Sequence, residues 1–343
     1  MRRLNVLLLG ITLPVHLAAQ TTQQYELTGQ TASVFNLAGT VQIEAASGGG
    51  VQVEVARGGA DAGKLQIDAD GGTLRVRYPG DRIRYSKMDH DGSTSLRVEE
   101  DGSFGDHHGD GRRVRISREE GDLEAWADLR VAVPAGRSLD LHLAVGRISA
   151  SNVNGRLRIQ AAAAPVTVTG GEGDLSVSTG SGDVRLSGGK GAARLSTGSG
   201  DIELSSRNGD VSAETGSGAV TGSGIESTRL RAETGSGEIR LSGIRAPDLA
   251  LHTGSGDVTL ELGSAVQLLN VETGSGDVSI VAPSGIDAQL EIETGSGDIE
   301  SDFPLSVTRS GRHHLIGTIG DGRGRVSVET GSGGVRLLKA KGS

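Results

Sequence analysis

Four consecutive nine-residue units decide the fold: GDLSVSTGS at 173–181, GDVRLSGGK at 182–190, GAARLSTGS at 191–199 and GDIELSSRN at 200–208. In each unit the third and fifth residues are apolar and the residue between them is mostly polar, which is the alternation of a β-strand with one buried face. The glycines and serines that follow supply a tight turn. Each unit therefore predicts one short strand and one turn.

The nine-residue spacing runs from Gly146 to Gly218, and a Thr-Gly-Ser-Gly (TGSG) turn occurs in every second unit, so the full repeat is 18 residues and lengthens later to 21. Two strands and two turns per repeat can form one coil of a β-solenoid, whose coils pair as parallel strands. We therefore predict an all-β fold, a single-stranded parallel β-helix or β-solenoid with about 18–21 residues per coil. The TGSG turns begin at Thr179, Thr197, Thr215, Thr234, Thr253, Thr273, Thr294 and Thr330.

The two-residue period also predicts where side chains point. The repeat threonines are in phase with the apolar residues, as in Leu175, Val177 and Thr179, so we expect them to point inward as structural turn residues. The acid that follows most TGSG turns comes directly before an apolar residue, so we expect it to point outward. This outward acidic edge consists of Asp183, Asp201, Glu238, Asp257, Asp277 and Asp298.

Composition divides the chain into four segments. Residues 1–19 have a basic start, a short apolar run and small residues, which is typical of a secretory signal peptide. Residues 20–78 repeat the strand alternation and are predicted to be amino-terminal solenoid coils. Residues 79–121 are polar and irregular, which predicts an insertion, either a hairpin or a mobile loop. Residues 122–343 are predicted to form the main solenoid with the TGSG repeats.

Several classes of site and partner are disfavoured by composition. The chain has no cysteine, which excludes disulfides and thiolate metal sites. Its net charge of −9 predicts no nucleic-acid partner, because phosphate binding needs clustered lysine and arginine. Aromatic residues are 2% of the chain, so few are available as stacking platforms for sugars or bases.

No segment after the signal peptide approaches the ~20 apolar residues that a transmembrane helix needs. The mature chain is therefore predicted to contain no integral membrane segment. We expect it to be exported to the periplasm, the cell surface or the extracellular space. Its partner is then a surface or matrix ligand, either protein or glycan.

The TGSGD-V-x-L repeats, WADLRVAVPAG at 126–136 and GTIGDGRGRVSVETGSGGVRL at 317–337 resemble the bacterial putative-adhesin family of β-strand-repeat domains, a family of unknown function. The chain is also distantly similar to the head domains of autotransporter adhesins. The resemblance covers most of the mature chain. It implies an exported, right-handed, single-stranded β-helix with an adhesive or envelope role, and it implies no catalytic residues.

The repeat shares features with a calcium-binding motif. In the GGxGxDxUx nonapeptide of calcium-binding β-rolls, the apolar residue stands two places after the aspartate. Here it comes directly after it, as in Asp277 and Val278, which predicts that the aspartate leaves the turn and faces solvent. No cofactor is therefore predicted, and weak calcium binding by the stacked acids stays open.

A second candidate metal site lies in the insertion. The stretch GDHHGDG at 105–111 combines histidine with carboxylate, which suits zinc or nickel. A glycine-rich loop does not preorganise ligands, so an exposed polar loop is the competing interpretation and no metal is predicted. The weak candidates are Asp106, His107, His108 and Asp110.

An enzymatic alternative rests on a break in the periodicity. A β-helix polysaccharide-active enzyme, a lyase or hydrolase, needs acids near a basic residue in a groove, and the candidate break is SDFPLSVTRSGRHHLIG at 301–317. Irregular coils near the end of a solenoid also serve as caps. The candidates are Asp302, Arg309, Arg312, His313 and His314.

The turn opposite TGSG lengthens along the chain, from SGGKGA at 187–192 to VAPSGIDAQ at 281–289, whereas TGSG keeps its length. Insertions confined to one edge of a repeat protein often mark the binding side. The predicted function is therefore a surface or envelope interaction module of adhesin type, without catalysis. The alternatives are the polysaccharide-active enzyme and a purely structural or envelope-stress rod.

Overall fold

The computed structural model describes residues 22–88, 92–105 and 111–340, and the predicted signal peptide lies outside them. The described residues form 31 strands and one short 3₁₀ turn, Ala62–Lys64, with no α-helix. Within the same ranges, no helix has the length and apolar character needed to cross a membrane. The prediction of an all-β fold is confirmed.

The strands form an amino-terminal group, a long stack of coils and a carboxy-terminal cap. In the amino-terminal half they are β1 Thr22–Leu27, β2 Thr31–Ala46, β3 Val51–Gly58, β4 Gln66–Asp70, β5 Thr73–Arg77, β6 Arg82–Arg84, β7 Ser93–Val98, β8 Arg112–Ser117, β9 Leu123–Glu124, β10 Trp126–Pro134, β11 Ser138–Ser151, β12 Leu157–Ala163 and β13 Val166–Thr169. They continue as β14 Leu175–Ser181, β15 Val184–Ser187, β16 Ala193–Thr197, β17 Ile202–Ser205, β18 Val211–Thr215, β19 Val220–Ser223, β20 Arg229–Thr234, β21 Ile239–Ile244, β22 Asp248–Thr253, β23 Val258–Leu262, β24 Leu268–Thr273, β25 Val278–Ala282, β26 Ala288–Thr294, β27 Ile299–Ser301, β28 Ser306–Ser310, β29 His314–Ile319, β30 Gly324–Thr330 and β31 Val335–Lys339.

The coils pair as parallel strands on two faces. On the first face β12 pairs with β14, β14 with β16, and so on through the even-numbered strands to β24. On the second face the odd-numbered strands from β13 to β25 pair in the same way. The register is regular: Val166 lies opposite Val184, and Val184 lies opposite Ile202. Most of the chain is thus a large, mainly parallel sheet, as predicted.

The core lies between the two faces. Strands alternate one buried and one outward residue, as in β16, where Ala193, Leu195 and Thr197 are buried and Arg194 is exposed. Aliphatic side chains therefore stack on their equivalents from coil to coil, which suits β-branched residues and leucine on a pleated surface. This alternation places all outward side chains of a strand on one flat face.

The last coil does not stack in chain order. Strand β30 lies between β24 and β26, and β31 lies between β25 and β27. Strand β29 covers the other side of β26 in the antiparallel sense, and β28 pairs with β29. The chain therefore passes beyond β26, turns back through β28 and β29, and inserts its final coil one place earlier in the stack.

Residues 20–78, which are predicted to form solenoid coils, contain both parallel and antiparallel strands. Strand β2 pairs in the parallel sense with β11 along its length, and also with β10 and β5. Strand β3 pairs antiparallel with β1 and β10, and β4 pairs antiparallel with β5. Parallel and antiparallel strands have the same two-residue alternation, so the pattern could not separate a coil from a terminal cap.

The insertion at 79–121, for which a hairpin or a mobile loop is predicted, contains the three strands β6 to β8. Strands β6 to β9 form a separate four-stranded sheet in the order β7-β8-β6-β9, in which β7 and β8 are the hairpin allowed for above. Ile83, Val98, Val114 and Ile116 are at most 1% exposed. The short alternating stretches RIR and RRVRIS supply apolar side chains that join the same hydrophobic core as those of the solenoid.

A buried polar cluster lies beside the start of this insertion, at Tyr78. The hydroxyl of Tyr78 donates to Asn36 Oδ1 at 2.8 Å, and Asn36 Nδ2 donates to the carbonyl oxygen of Ala127 at 2.8 Å. Burial raises the pKa of the Tyr78 hydroxyl well above its ordinary value, so it stays a neutral donor. The cluster fixes where the insertion leaves the first coils.

Candidate functional site

The TGSG turns form the corner between the two faces, and their threonines lie inside. All eight threonines are between 0% and 5% exposed. At Thr215 the hydroxyl donates to the carbonyl oxygen of Gly200 in the preceding coil at 2.8 Å and accepts from the N–H of Gly218 at 3.2 Å. Thr234 repeats the arrangement one coil later. The hydroxyls therefore join coil to coil and are not free to contact a ligand.

The glycines of this corner are required by the close approach of successive turns. A Cβ added at Gly218 would collide with the carbonyl oxygen of Gly200, and one at Gly276 would collide with that of Gly256. Backbone stacks directly on backbone at this edge, which no other residue type allows. The TGSG turn is therefore a structural corner.

The acids that follow TGSG bond to the next coil. Asp183 Oδ1 accepts the N–H of Asp201 at 3.1 Å, and Asp201 Oδ1 accepts that of Ala219 at 2.9 Å. Asp277 Oδ1 accepts the N–H of Gly334 at 2.8 Å in the inserted last coil. These carboxylates satisfy backbone donors that the corner leaves unpaired. Within the predicted set the half-buried members are Asp183 and Glu238, and the exposed members are Asp201, Asp257, Asp277 and Asp298.

A column of glutamates follows the first face beside the same corner. Glu272 lies opposite Glu329, and Glu329 lies opposite Glu293. His252 stands between Glu233 and Glu272, with its Nδ1 3.4 Å from the Glu272 carboxylate. Within residues 22–88, 92–105 and 111–340, no three acidic or histidine side chains are grouped so as to hold a metal ion.

The weak metal candidates of the insertion cannot be placed. Asp106, His107, His108 and Asp110 lie outside the described residues.

The break near the carboxy terminus is the cap of the stack. Asp302 Oδ2 accepts the N–H of Lys339 at 3.2 Å, and the carbonyl oxygen of His313 accepts the N–H of Thr294 at 2.9 Å. These contacts hold the hairpin of β28 and β29 against the final coils. The other candidates lie along this hairpin: Arg309, Arg312 and His314.

An aromatic cluster lies where the insertion meets the first face. Phe35 stacks on His142 with ring centroids 4.3 Å apart, and Phe104 of the insertion meets Phe35 edge-on at 6.0 Å. Arg75 lies over the Phe35 ring at 5.9 Å. A cavity of about 320 Å³ adjoins these residues. Since His142 and Arg75 come from the strands on either side of Phe35, the ring faces are covered and the cluster docks the insertion.

The edge opposite TGSG, which we call the lengthening edge, stacks its turns through single backbone bridges. Glu172 pairs in this way with Lys190, and Lys190 with Asn208. A cavity of about 600 Å³ lies over these turns. Their side chains are exposed, so this edge offers alternating acidic, basic and amide groups to solvent.

One arginine of the lengthening edge is buried. Arg207 is 2% exposed and donates to the carbonyl oxygens of Gly191 at 2.8 Å and Gly188 at 3.3 Å. The same turn position is glycine in the two preceding coils, Gly171 and Gly189, which leaves room for this side chain. Burial lowers the pKa of the Arg207 guanidinium. Arg207 therefore has a structural role in closing the turns.

The first face carries a groove that the sequence analysis did not identify. Its volume is about 650 Å³, and Arg158, Arg194 and Arg231 line it along the stack. The alternation predicted that each of these side chains points outward, but only the register shows that they share one column. A signal was available, because Arg158 and Arg194 recur at the second strand position of alternate 18-residue repeats.

Comparison with known proteins identifies a family. The family model described as Toastrack DUF4097 matches residues 127–338. This match confirms the resemblance to a β-strand-repeat family of unknown function. Among curated proteins, none matches the chain.

Solved structures with a similar arrangement come from three bacteria. They are a putative adhesin from Bacteroides fragilis (9% identity, 93% of this chain and 96% of that chain, TM-score 0.37), a putative cell adhesion protein from Clostridium sporogenes (8%, 93% and 99%, TM-score 0.18) and a putative adhesin from Parabacteroides merdae (11%, 94% and 96%, TM-score 0.32). At this low similarity they say nothing of what this chain binds.

Proposed function

The chain belongs to the Toastrack DUF4097 family, and we propose that it is an exported interaction module of the bacterial envelope or surface, without catalysis. In this proposal residues 1–19 direct export, and the mature coils of about 18–21 residues wind in the right-handed sense. The partner is a surface or matrix ligand, either protein or glycan.

The proposal rests on a difference in available polar groups: those of the TGSG corner are used in bonds between coils, whereas the first face presents outward side chains. At the corner the threonine hydroxyls, the glycine backbone and one oxygen of several acids are used in bonds between coils. On the first face the outward side chains form long columns in register, and a groove of about 650 Å³ runs among them. The surface suited to a partner is therefore a face of the stack.

The absence of catalysis is supported by the position of the enzymatic candidates. Asp302 and His313 hold the cap against the last coils through a side-chain and a main-chain bond. Pairs of stacked carboxylates are weak evidence for a catalytic pair, because every parallel ladder brings equivalent residues of neighbouring coils within ~5 Å. A polysaccharide-active site would need acids set apart from this regular spacing.

Cell fractionation combined with capture tests the proposal. Tagged native protein is followed in cytosolic, periplasmic, surface and culture fractions, and is cross-linked to its neighbours before recovery. We expect it outside the cytosol and joined to an envelope protein or glycan. Recovery from the cytosol would contradict export, and recovery outside the cytosol with no cross-linked partner would favour the structural rod.

Calcium is not required in this proposal and binds at most weakly. Several edge acids already accept a backbone N–H, which leaves fewer oxygens for the six to eight that calcium coordinates. We expect the melting temperature to stay nearly constant on addition of calcium. A rise of many degrees that a chelator reverses would show specific calcium sites.

A further inference from the structure

A column of arginines on alternate coils runs along the first face. Arg158 lies opposite Ser176, Ser176 opposite Arg194, Arg194 opposite Ser212, and Ser212 opposite Arg231. The three arginines are exposed and the two serines are half-buried. The column therefore has tall cationic side chains separated by short hydroxyl side chains. Two coils separate successive arginines, which sets their backbones roughly 9.6 Å apart.

The exposed arginines of this column form one wall of the groove of about 650 Å³ described above, and the half-buried serines lie lower between them. The second wall comes from the neighbouring outward position, where Arg156 and Arg229 stand at the two ends and Ala192 in the middle. The small side chain of Ala192 keeps the centre open. The groove is thus elongated along the stack, with Ser176 and Ser212 on its floor.

The charge in this groove is only partly compensated. Arg156 lies 3.7 Å from Asp174, and Arg229 lies 2.9 Å from Asp248. Arg231 pairs with Glu233. Among the described residues, the side chain of Arg194 in the centre has no ion pair or hydrogen bond. It stands between two serines, so its guanidinium is available to an anion.

Asp210, the other acid of the groove, is already engaged. Its Oδ1 accepts the Thr228 hydroxyl at 2.6 Å and the N–H of Arg229 at 3.0 Å. These bonds, that of the Thr228 hydroxyl first, hold the pKa of the Asp210 carboxyl below its ordinary value. The Asp210 carboxylate therefore stays ionised and offsets part of the charge of Arg229, at one end of the groove.

We propose that this groove binds a linear polysaccharide that carries carboxylate groups. Arginine recognises carboxylates through paired N–H donors, and the spacing of Arg158, Arg194 and Arg231 suits charges that repeat along an extended chain. The floor serines donate to and accept from sugar hydroxyls. In the part of the chain that the structure describes, no aromatic residue lines this groove, so the bases of a nucleic acid have no surface there on which to stack.

This inference rests on the proposed function in one respect, since it takes the partner to be an envelope glycan. The two are tested separately. Binding is measured with purified protein, whereas the proposed function is tested by location and capture in cells. A protein found outside the cytosol with another partner would keep the proposed function and remove this inference.

The test measures affinity for polygalacturonate in low salt. The variants are Arg194→Ser and the double variant with Arg231→Ser, and serine already occupies the position next to Arg194 on both sides. The matched control is Arg336→Ser on the second face, where Arg336 is exposed and lies opposite Ser279. Circular dichroism and the melting temperature check that all variants fold like the wild type.

We expect wild-type binding that weakens with added salt, because exposed charges are screened. Arg194→Ser should lower affinity about fivefold to tenfold, the range expected for one charge-assisted contact. The double variant should lose more, and Arg336→Ser should bind like the wild type.

Three results would overturn the proposal. One is the absence of binding to polygalacturonate. Another is equal binding to its uncharged methyl ester or to single-stranded DNA. The third is an equal loss of affinity in Arg336→Ser and Arg194→Ser, which would reduce the effect to net charge.

Discussion

At the scale of single residues, the threonine of each TGSG turn has more than one task. Its methyl group continues the apolar column, and its hydroxyl bonds both to its own turn and to the coil before. The sequence predicted the inward direction, because threonine is in phase with valine and leucine. It could not predict the two partners, since these depend on how closely the glycines allow successive turns to approach.

Replacing Thr215 by valine should separate the contribution of the methyl group from that of the hydroxyl. Valine keeps the shape and the inward apolar contact, but leaves the carbonyl oxygen of Gly200 and the N–H of Gly218 without partners. We expect the free energy of unfolding to fall by about 1–3 kcal/mol. Urea denaturation measures the loss, and hydrogen exchange should show a less protected Gly218 amide.

Thr259→Val is the control, because Thr259 points outward from β23 and is exposed. It should leave stability nearly unchanged. Equal effects in the two variants would mean that the hydroxyl of Thr215 adds nothing to the stack.

At the scale of strands, the unusual feature is the final coil inserted between two earlier ones. The strands concerned have nearly the same sequence: NVETGSG at 270–276, EIETGSG at 291–297 and SVETGSG at 327–333. Packing of their side chains would therefore be similar whichever order these strands take in the stack. The antiparallel hairpin of β28 and β29, which covers β26 from outside, decides it. Repeat sequence predicted that these strands exist, and could not predict how they are ordered.

Val328→Asp tests the inserted strand. Val328 is 1% exposed and lies between Val271 and Ile292. A carboxylate there should cost about 3 kcal/mol or more, because it is buried without a partner. In repeat proteins each coil contacts its neighbours only. We therefore expect hydrogen exchange to rise over residues 268–339 and to stay low over residues 138–262.

Ser327→Asp, one residue earlier and facing outward, is the control. It should keep the wild-type exchange pattern. Loss of protection along the whole stack in Val328→Asp would contradict the nearest-neighbour account.

The turn before β30 is held by a charge pair with a pH dependence. Asp287 accepts the N–H of Arg323 at 2.9 Å and pairs with its guanidinium at 2.6 Å. The backbone bond first, and the guanidinium next, lower the pKa of Asp287 from its ordinary 3.8. A lowered folded-state pKa gives stability that is complete above 3.8 and is lost as pH falls through the lowered value.

Asp287→Asn should therefore melt at a lower temperature than the wild type at pH 7. The difference should shrink as pH falls below 3.8, where the wild type loses the same contribution. Thermal melts across this pH range measure it. Asp321→Asn, at an exposed neighbour 3.9 Å from Arg323, should change little. A difference that stays constant or grows in acid would contradict the assignment.

At the scale of the whole molecule, charge is distributed unevenly along the first face. The arginine column occupies β12 to β20, whereas the glutamate column begins at Glu214 in β18 and continues to the last coils. The net charge of −9 is an average over this uneven distribution of charged side chains. Composition could not locate a basic groove in an acidic chain.

Much of the solenoid could be predicted from the repeat period of the sequence, because strands, turns and parallel pairing recur with that period. The amino-terminal cap and the folded insertion could not be predicted in this way, because the alternation of buried and exposed residues is the same in coils, caps and hairpins. The arginine column required the register between coils, which brings Arg158 and Arg231 together across a long stretch of chain.

We propose that the protein binds envelope polymer and does not cut it, and one experiment measures both properties. Purified protein is mixed with envelope polysaccharide from the native cells, and sedimentation of the protein and the length distribution of the polymer are measured together. We predict that the protein sediments with the polymer while the chain length stays unchanged. Shortened polymer, with the shortening abolished by Asp302→Ala or His313→Ala, would contradict the claim.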